Sequence, residues 1–143
     1  MTTLRKHHFY LVAAAKKIIA QRYSLGRHHI AAALRTRSGN TFAAVHLEAT
    51  VGRIAVCAEA IALGMAAAAG DTDVETIVAV DRFGQVVSPC GMCRELISDY
   101  APKAEVIVPG ARGATAVTIG SLLPNKYSCA EENPLQDEGK GKI

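Results

Sequence analysis

The feature that most constrains this chain is a pair of cysteine motifs, each at the head of a helical run. Val56-Cys57-Ala58-Glu59 opens an Ala-rich stretch that continues to Ala69, and Ser88-Pro89-Cys90-Gly91-Met92-Cys93 opens another that runs to about Tyr100. Cys90 and Cys93 are three apart, so on a helical turn they share one face. Two sulfurs placed this way grip a single ion, and the positive end of a helix dipole favours thiolate over thiol. Cys57, at the start of the other helix, completes three protein ligands. The fourth tetrahedral position is then left to water, which is the layout of a catalytic zinc rather than a closed structural one.

Glu59 sharpens this reading. A carboxylate two residues past a ligand lies beside the water rather than on the metal, where it takes a proton and passes it on to a leaving nitrogen. A lone C-x-x-C is a weak signal, equally at home in a redox pair or in half of a structural zinc site. A redox pair leaves Cys57 and Glu59 unexplained. A closed zinc site wants a fourth ligand, for which Cys129 or one of the five histidines stands available. The bland reading of Cys129 is a plain thiol near the C-terminus.

The rest of the chain supplies a frame. Leu4, His8, Leu11, Val12, Ala15, Ile18 and Ile19 fall on one face of an amphipathic first helix that Ser24 and Gly26 end. His29 to Thr36 and Thr41 to Leu47 read as a hairpin turning at Gly39-Asn40. Gly70 stops the second helix. Thr76 to Val80 is continuously apolar, as in a central strand covered on both faces. Glu105 to Val108 is a further strand, Thr115 to Thr118 a short edge strand, and Ile119 to Leu123 one helical turn. Strands separated by helices imply a sheet with helices on both faces, and the hairpin makes that sheet mixed. Residues 1–130 read as one domain and residues 131–143 as a polar tail.

With 143 residues and a net charge of +3, the chain has one core and no dense cationic stripe, so a polynucleotide partner is not favoured and a small molecule is. The charged, polar N-terminus does not read as a signal peptide, and no apolar run reaches membrane-spanning length. The expected compartment is the cytoplasm, where thiols stay reduced.

The pattern C-x-E…P-C-x-x-C is a signature of zinc deaminases, and the chain resembles the cytidine deaminase superfamily. More narrowly it resembles the blasticidin S deaminases of the bacterial resistance type. The resemblance is carried by His28-His29, Ala43 to Ala49, Val56 to Gly64, Thr76 to Val80, the long run Val86 to Pro102, Leu122 to Pro124, and Tyr127. It implies a three-layer α/β/α fold with a five-stranded mixed sheet, a homotetramer, and Zn2+ held by Cys57, Cys90 and Cys93. Glu59 would be the proton shuttle, and ammonia would leave the ring. Ala58 and Ser88 would bond the base through main chain.

Nucleoside-specific relatives carry Asn-x-Glu to hold ribose hydroxyls. Here the matching residues are His46 and Glu48, so the acceptor carboxylate is kept and the amide is not. Glu48 suits sugar hydroxyls or a cationic substituent, or else is a surface carboxylate at a strand end. His28 matches a pocket-lining position, against the plain reading of a solvent-facing histidine. Tyr127 matches an aromatic that closes the site, against packing on a neighbouring subunit. Arg94 and Arg53 are the candidate cations to offset three thiolates from behind the ligands, or else surface or subunit-contact arginines. The function implied is hydrolytic removal of the cytosine amino group of an aminopyrimidine nucleoside, foremost blasticidin S. The alternatives are a cytidine or deoxycytidine deaminase of salvage, a deaminase of another amino-heterocycle, and a non-catalytic zinc-stabilised binding protein.

Overall fold

Apolar periodicity decides the first layer. In α1 (Lys6–Arg22) the side chains of Leu11, Ala15 and Ile19 recur one turn apart and are buried. They pack on Ala31, Ala33, Val78, Val80 and Ile107 of the sheet. The computed structural model describes residues 3–128. The expected tail, 131–143, and Cys129 lie outside the described residues.

After α1 come β1 (Ile30–Thr36), β2 (Thr41–Val45), a 3-10 turn at Gly52–Ile54 and α2 (Ala58–Ala68). Then follow β3 (Val74–Asp81), β4 (Val86–Val87), α3 (Gly91–Tyr100), β5 (Glu105–Gly110), β6 (Gly113–Thr118) and a second 3-10 turn at Ile119–Leu122. The sheet runs β2-β1-β3-β5-β6. Only β3 and β5 are parallel, joined by the crossover through α3, and the other neighbours are antiparallel. The expected mixed sheet of five strands is present, with β4 added as a two-residue strand on β3. Val86-Val87 is too short to carry a period, so pattern reading passes over it.

Strand alternation sends Leu34, Ile77, Val106 and Val108 to the opposite face, where Ala62, Leu63 and Ala66 of α2 and Ile97 of α3 cover them. The layers are therefore α1, sheet, and α2 with α3. Each large aliphatic chain buried here contributes about 1.5–3 kcal/mol, as an upper estimate. α2 forms because alanine carries the least helix cost. It ends in a paired C-cap: Asp71 N–H bonds the Ala66 carbonyl (2.9 Å) and Gly70 N–H the Ala67 carbonyl (3.0 Å), with Gly70 at φ +70°.

Two local features aim the head of α2. Ala58 is fully buried and packs with Ala32 and Ala79; three methyl groups in contact let the first helical turn sit close on the sheet. Before it, the chain leaves β2 at Val45, and Leu47 then pairs with Val56 through two backbone bonds (3.0 and 2.9 Å). The second strand of the hairpin was expected to reach Leu47. Its ladder to β1 instead ends two residues earlier, because that backbone turns to hold the segment leading into α2.

Candidate active site

Cys57 and Cys90 are the N-caps of α2 and α3, and neither makes a side-chain cap hydrogen bond. Both helix heads therefore present open N–H groups and the positive ends of their dipoles to the same place. The two sulfurs are 3.7 Å apart, far beyond a disulfide bond. One turn into α3, Cys93 is buried, and the three Sγ atoms lie within 4.8 Å of one another. A tetrahedral ion with Zn–S bonds of about 2.3 Å separates its sulfurs by about 3.8 Å. The cluster fits zinc in donor type, count and spacing.

Glu59 is only 5 % exposed. Burial pushes its carboxyl above the ordinary carboxylate value; its own backbone N–H and the Cys93 thiol pull the other way. Cys93 is driven up, first by burial and then by the charge of Glu59. Burial likewise raises Cys57. Cys90 also feels the upward push of burial, yet it ends below the ordinary thiol value. The Cys93 peptide N–H and the neighbouring thiols stabilise its thiolate. Of the three thiols, the one at the head of α3 therefore gives up its proton most readily.

A cleft of about 340 Å³ opens over these groups, near the small end of small-molecule sites. Cys57, Glu59 and Cys90 line it together with Ile30, Val87 and Ser88. A buried carboxyl, three convergent sulfurs and a mostly apolar hollow suit metal-assisted hydrolysis of a small molecule.

Residues 5–109 match the family model described as the cytidine and deoxycytidylate deaminase zinc-binding region. The chain belongs to this deaminase family. It is a zinc-dependent hydrolase acting on a cytosine-type amino group. It is 48% identical over 126 residues to a blasticidin-S deaminase of Bacillus cereus, covering 82% of this chain and 90% of the relative. A cytidine deaminase of Halalkalibacterium halodurans is 28% identical over 109 residues, covering 75% and 83%. Among solved structures, the cytidine deaminase from Burkholderia pseudomallei superposes with a TM-score of 0.73 at 29% identity, covering 89% of this chain and all of that one.

In this deaminase the residues expected from sequence divide into two groups. Cys57, Cys90, Glu59, Ala58, Ser88 and His46 all line the cleft, with Cys93 buried behind it. Glu48, His28 and Tyr127 are not among the cleft-lining residues. Glu48 sits at the rim beside His46, its Oε1 accepting the Ala49 N–H (3.0 Å). His28 Nδ1 lies 2.8 Å from the His46 carbonyl and braces that strand end. Tyr127 is 79% exposed, while its neighbour Lys126 ties the segment to Ser98 and Asp99 of α3.

Arg94 works from behind. Its Nε donates to the Pro89 carbonyl (3.0 Å) and its Nη1 to the Leu122 carbonyl (3.1 Å), bracing the loop that presents Cys90. Arg53 is exposed on the 3-10 turn before α2. Sequence reasoning missed Ile30 and Val87 as walls of the cleft. The β-branched pair Val86-Val87, just after the Phe83-Gly84 turn, was the available signal.

Proposed function

We propose that this cleft hydrolyses the exocyclic amine from the cytosine ring of blasticidin S, releasing ammonia. The observation that carries the chemistry is the buried Glu59 carboxyl in the first turn of α2, two residues from Cys57 and beside the sulfur cluster. The substrate is supported by the 48% identity to a blasticidin-S deaminase along 90% of that protein.

Cys57, Cys90 and Cys93 would hold the ion, each as thiolate at or near a helix head. Zinc held there supplies Lewis acidity and lowers the pKa of a water to about 7. Glu59 does the proton work. Its raised proton affinity lets it accept one proton from water and hand it to the ring nitrogen, then take the second proton from the oxygen now bonded to the ring carbon and deliver it to the amine as the carbon–nitrogen bond breaks. Ala58 and Ser88 offer main-chain partners to the base edge, and Val87 and Ile30 supply apolar contact for the ring. The offset for three thiolates comes from two helix dipoles, with Arg94 fixing the loop.

The same reading carries a single domain over residues 1–130, a homotetramer and a cytoplasmic enzyme of antibiotic resistance. Exposed Leu47, Val51, Ile54 and Met92, on the segments bordering the cleft, support burial against further copies. Such burial would bring Tyr127 and Arg53 into use. No described helix is long and apolar enough to cross a membrane.

Ultraviolet assays of the zinc-loaded enzyme on blasticidin S, cytidine, deoxycytidine and cytosine test the substrate. The highest kcat/KM is expected on blasticidin S. A much higher value on cytidine replaces it with a salvage deaminase, and no ammonia from any of them removes blasticidin S and points to another amino-heterocycle.

A further inference from the structure

The sheet divides at one place. β5 pairs with β3 only from Glu105 to Ile107, and beyond that β4 takes the neighbouring position, beside Ala79 and Val80. β5 runs on to Gly110 with no ladder on that side, and Pro109, which has no N–H to offer one, stands there. On the α1 face this split opens a groove of about 530 Å³, within the range of small-molecule sites. Phe9, Val12 and Lys16 of α1 form one bank and Phe83 of the β3–β4 turn the other, with Val86 and Pro109 between them.

The lining says what the groove suits. Phe9 and Phe83, two of the chain's three phenylalanines, are 60% and 72% exposed on opposite banks. Single exposed apolar side chains are ordinary, but two aromatic rings over an apolar trough mark a binding surface. The ionisable groups here have one sign: Lys16, and Arg112 in an adjoining hollow of about 640 Å³ that shares Phe9. Among the described residues neither cation has a carboxylate partner, and α1 contributes no acid. A second copy docking through the same patch would set these cations against their own kind. The charge complement is an anion.

The groove also shares a wall with the catalytic cleft. Successive strand residues face opposite sides, so Val86 packs into the α1 layer and lines the groove while Val87 lines the cleft. Ser88 and Cys90 follow directly and line the cleft too. β4 is held to β3 by only two residue pairs, so a load behind Val86 bears on the strand that forms the cleft wall.

We propose that this groove is an effector site for a small amphiphilic anion: an apolar body seated between Phe9 and Phe83, with its carboxylate, sulfonate or phosphate on Lys16. Occupancy presses β4 toward the cleft and, on the deaminase reading above, raises KM. Binding itself needs no turnover, so the site and that reading fail separately.

The probes are anilinonaphthalene sulfonate and its uncharged twin phenylnaphthylamine, both of which brighten in apolar surroundings. They are titrated into the zinc-loaded full chain, which has no tryptophan to interfere. Lys16→Gln should weaken the sulfonate about tenfold, the size of one charge-assisted bond, and leave the twin unchanged. Phe9→Ala should weaken both about threefold. Both residues are exposed, so the fold should hold. Under rising sulfonate, KM for blasticidin S should climb about fivefold and level off, whereas a ligand competing inside the cleft raises it without limit. In Lys16→Gln that climb should move to about tenfold higher probe, with KM at wild type when no probe is present. Sulfonate binding that ignores both substitutions, or a KM that stays flat or never levels, overturns the proposal. So does a changed oligomeric state of Phe9→Ala in sedimentation velocity, which makes the groove a contact between copies. If blasticidin S is not turned over, the substrate reading falls instead; the titrations still decide the site, and KM is read on the substrate the enzyme does use.

Discussion

The head of α1 and the heads of α2 and α3 solve one problem in opposite ways. At α1 the side chains close the end themselves. His8 Nδ1 accepts the Arg5 N–H (3.1 Å), its Nε2–H donates to Glu105 (3.2 Å), and Arg5 pairs with the same carboxylate. At α2 and α3 the caps are cysteines that make no regular side-chain cap bond, and the Cys93 N–H only favours the Cys90 thiolate. A helix end that serves only stability is satisfied from within. One that serves chemistry is left open for an ion and a substrate, and the fold tolerates it because those partners complete it.

The strongest way to break this contrast is to remove a sulfur. Alanine at Cys57, Cys90 or Cys93 should abolish turnover, empty the site by metal analysis and lower the melting temperature. Full zinc occupancy in any one of them would free that residue from its assigned role. Next in size, Glu59→Gln should cut kcat about 10³-fold while zinc content stays at wild-type level. Undiminished ammonia release would show that the open helix heads work without it.

The head of α1 should respond in stability alone. His8→Gln should cost about 2 kcal/mol in denaturant melts, since a fully buried ring with two partners is lost, and should leave kcat at wild-type level. It should also change the pH response. Burial first, and His7 beside it, hold His8 below its ordinary 6.5, against the pull of Glu105. The unfolded chain therefore binds this proton at higher pH than the folded one. Stability contributed here is complete above about pH 6.5 and drains away as pH falls below it, until the folded value is passed. Titration melts should show that limb in wild type and a flatter one in His8→Gln; equal slopes would remove His8 as its source. Smallest of all, Arg5→Ala should cost less than about 1 kcal/mol, because its ion pair with Glu105 is half in water.

The same contrast explains what was legible in the sequence. Cys57, Cys90, Cys93 and Glu59 stood out because metal chemistry restricts residue type and spacing together, and the fold does bring them to one place. The layers were readable where periods were long, as along α1 and in Val74–Asp81. The rim was not. Whether Glu48, His28 or Tyr127 meets the cleft depends on where chain ends turn, and the Leu47–Val56 bridge that sets this leaves no periodic trace. The protonation side of His46 depends on peptide groups of His29 and Ile30, whose side chains say nothing about it. Arg94 was expected as a cation offsetting the thiolates; its two carbonyl partners, one 28 residues away, leave no trace in the sequence.

Because Cys57 and Cys90 are at once the caps of two helices and two corners of a sulfur cluster that fits zinc, an ion held there would clamp together elements that lie far apart along the chain. Scarcity of zinc in a growing cell would then do more than silence the enzyme. It would leave newly made chains half-fastened and open to proteases, so the amount of protein surviving a pulse-chase should track the zinc supply as closely as its activity does.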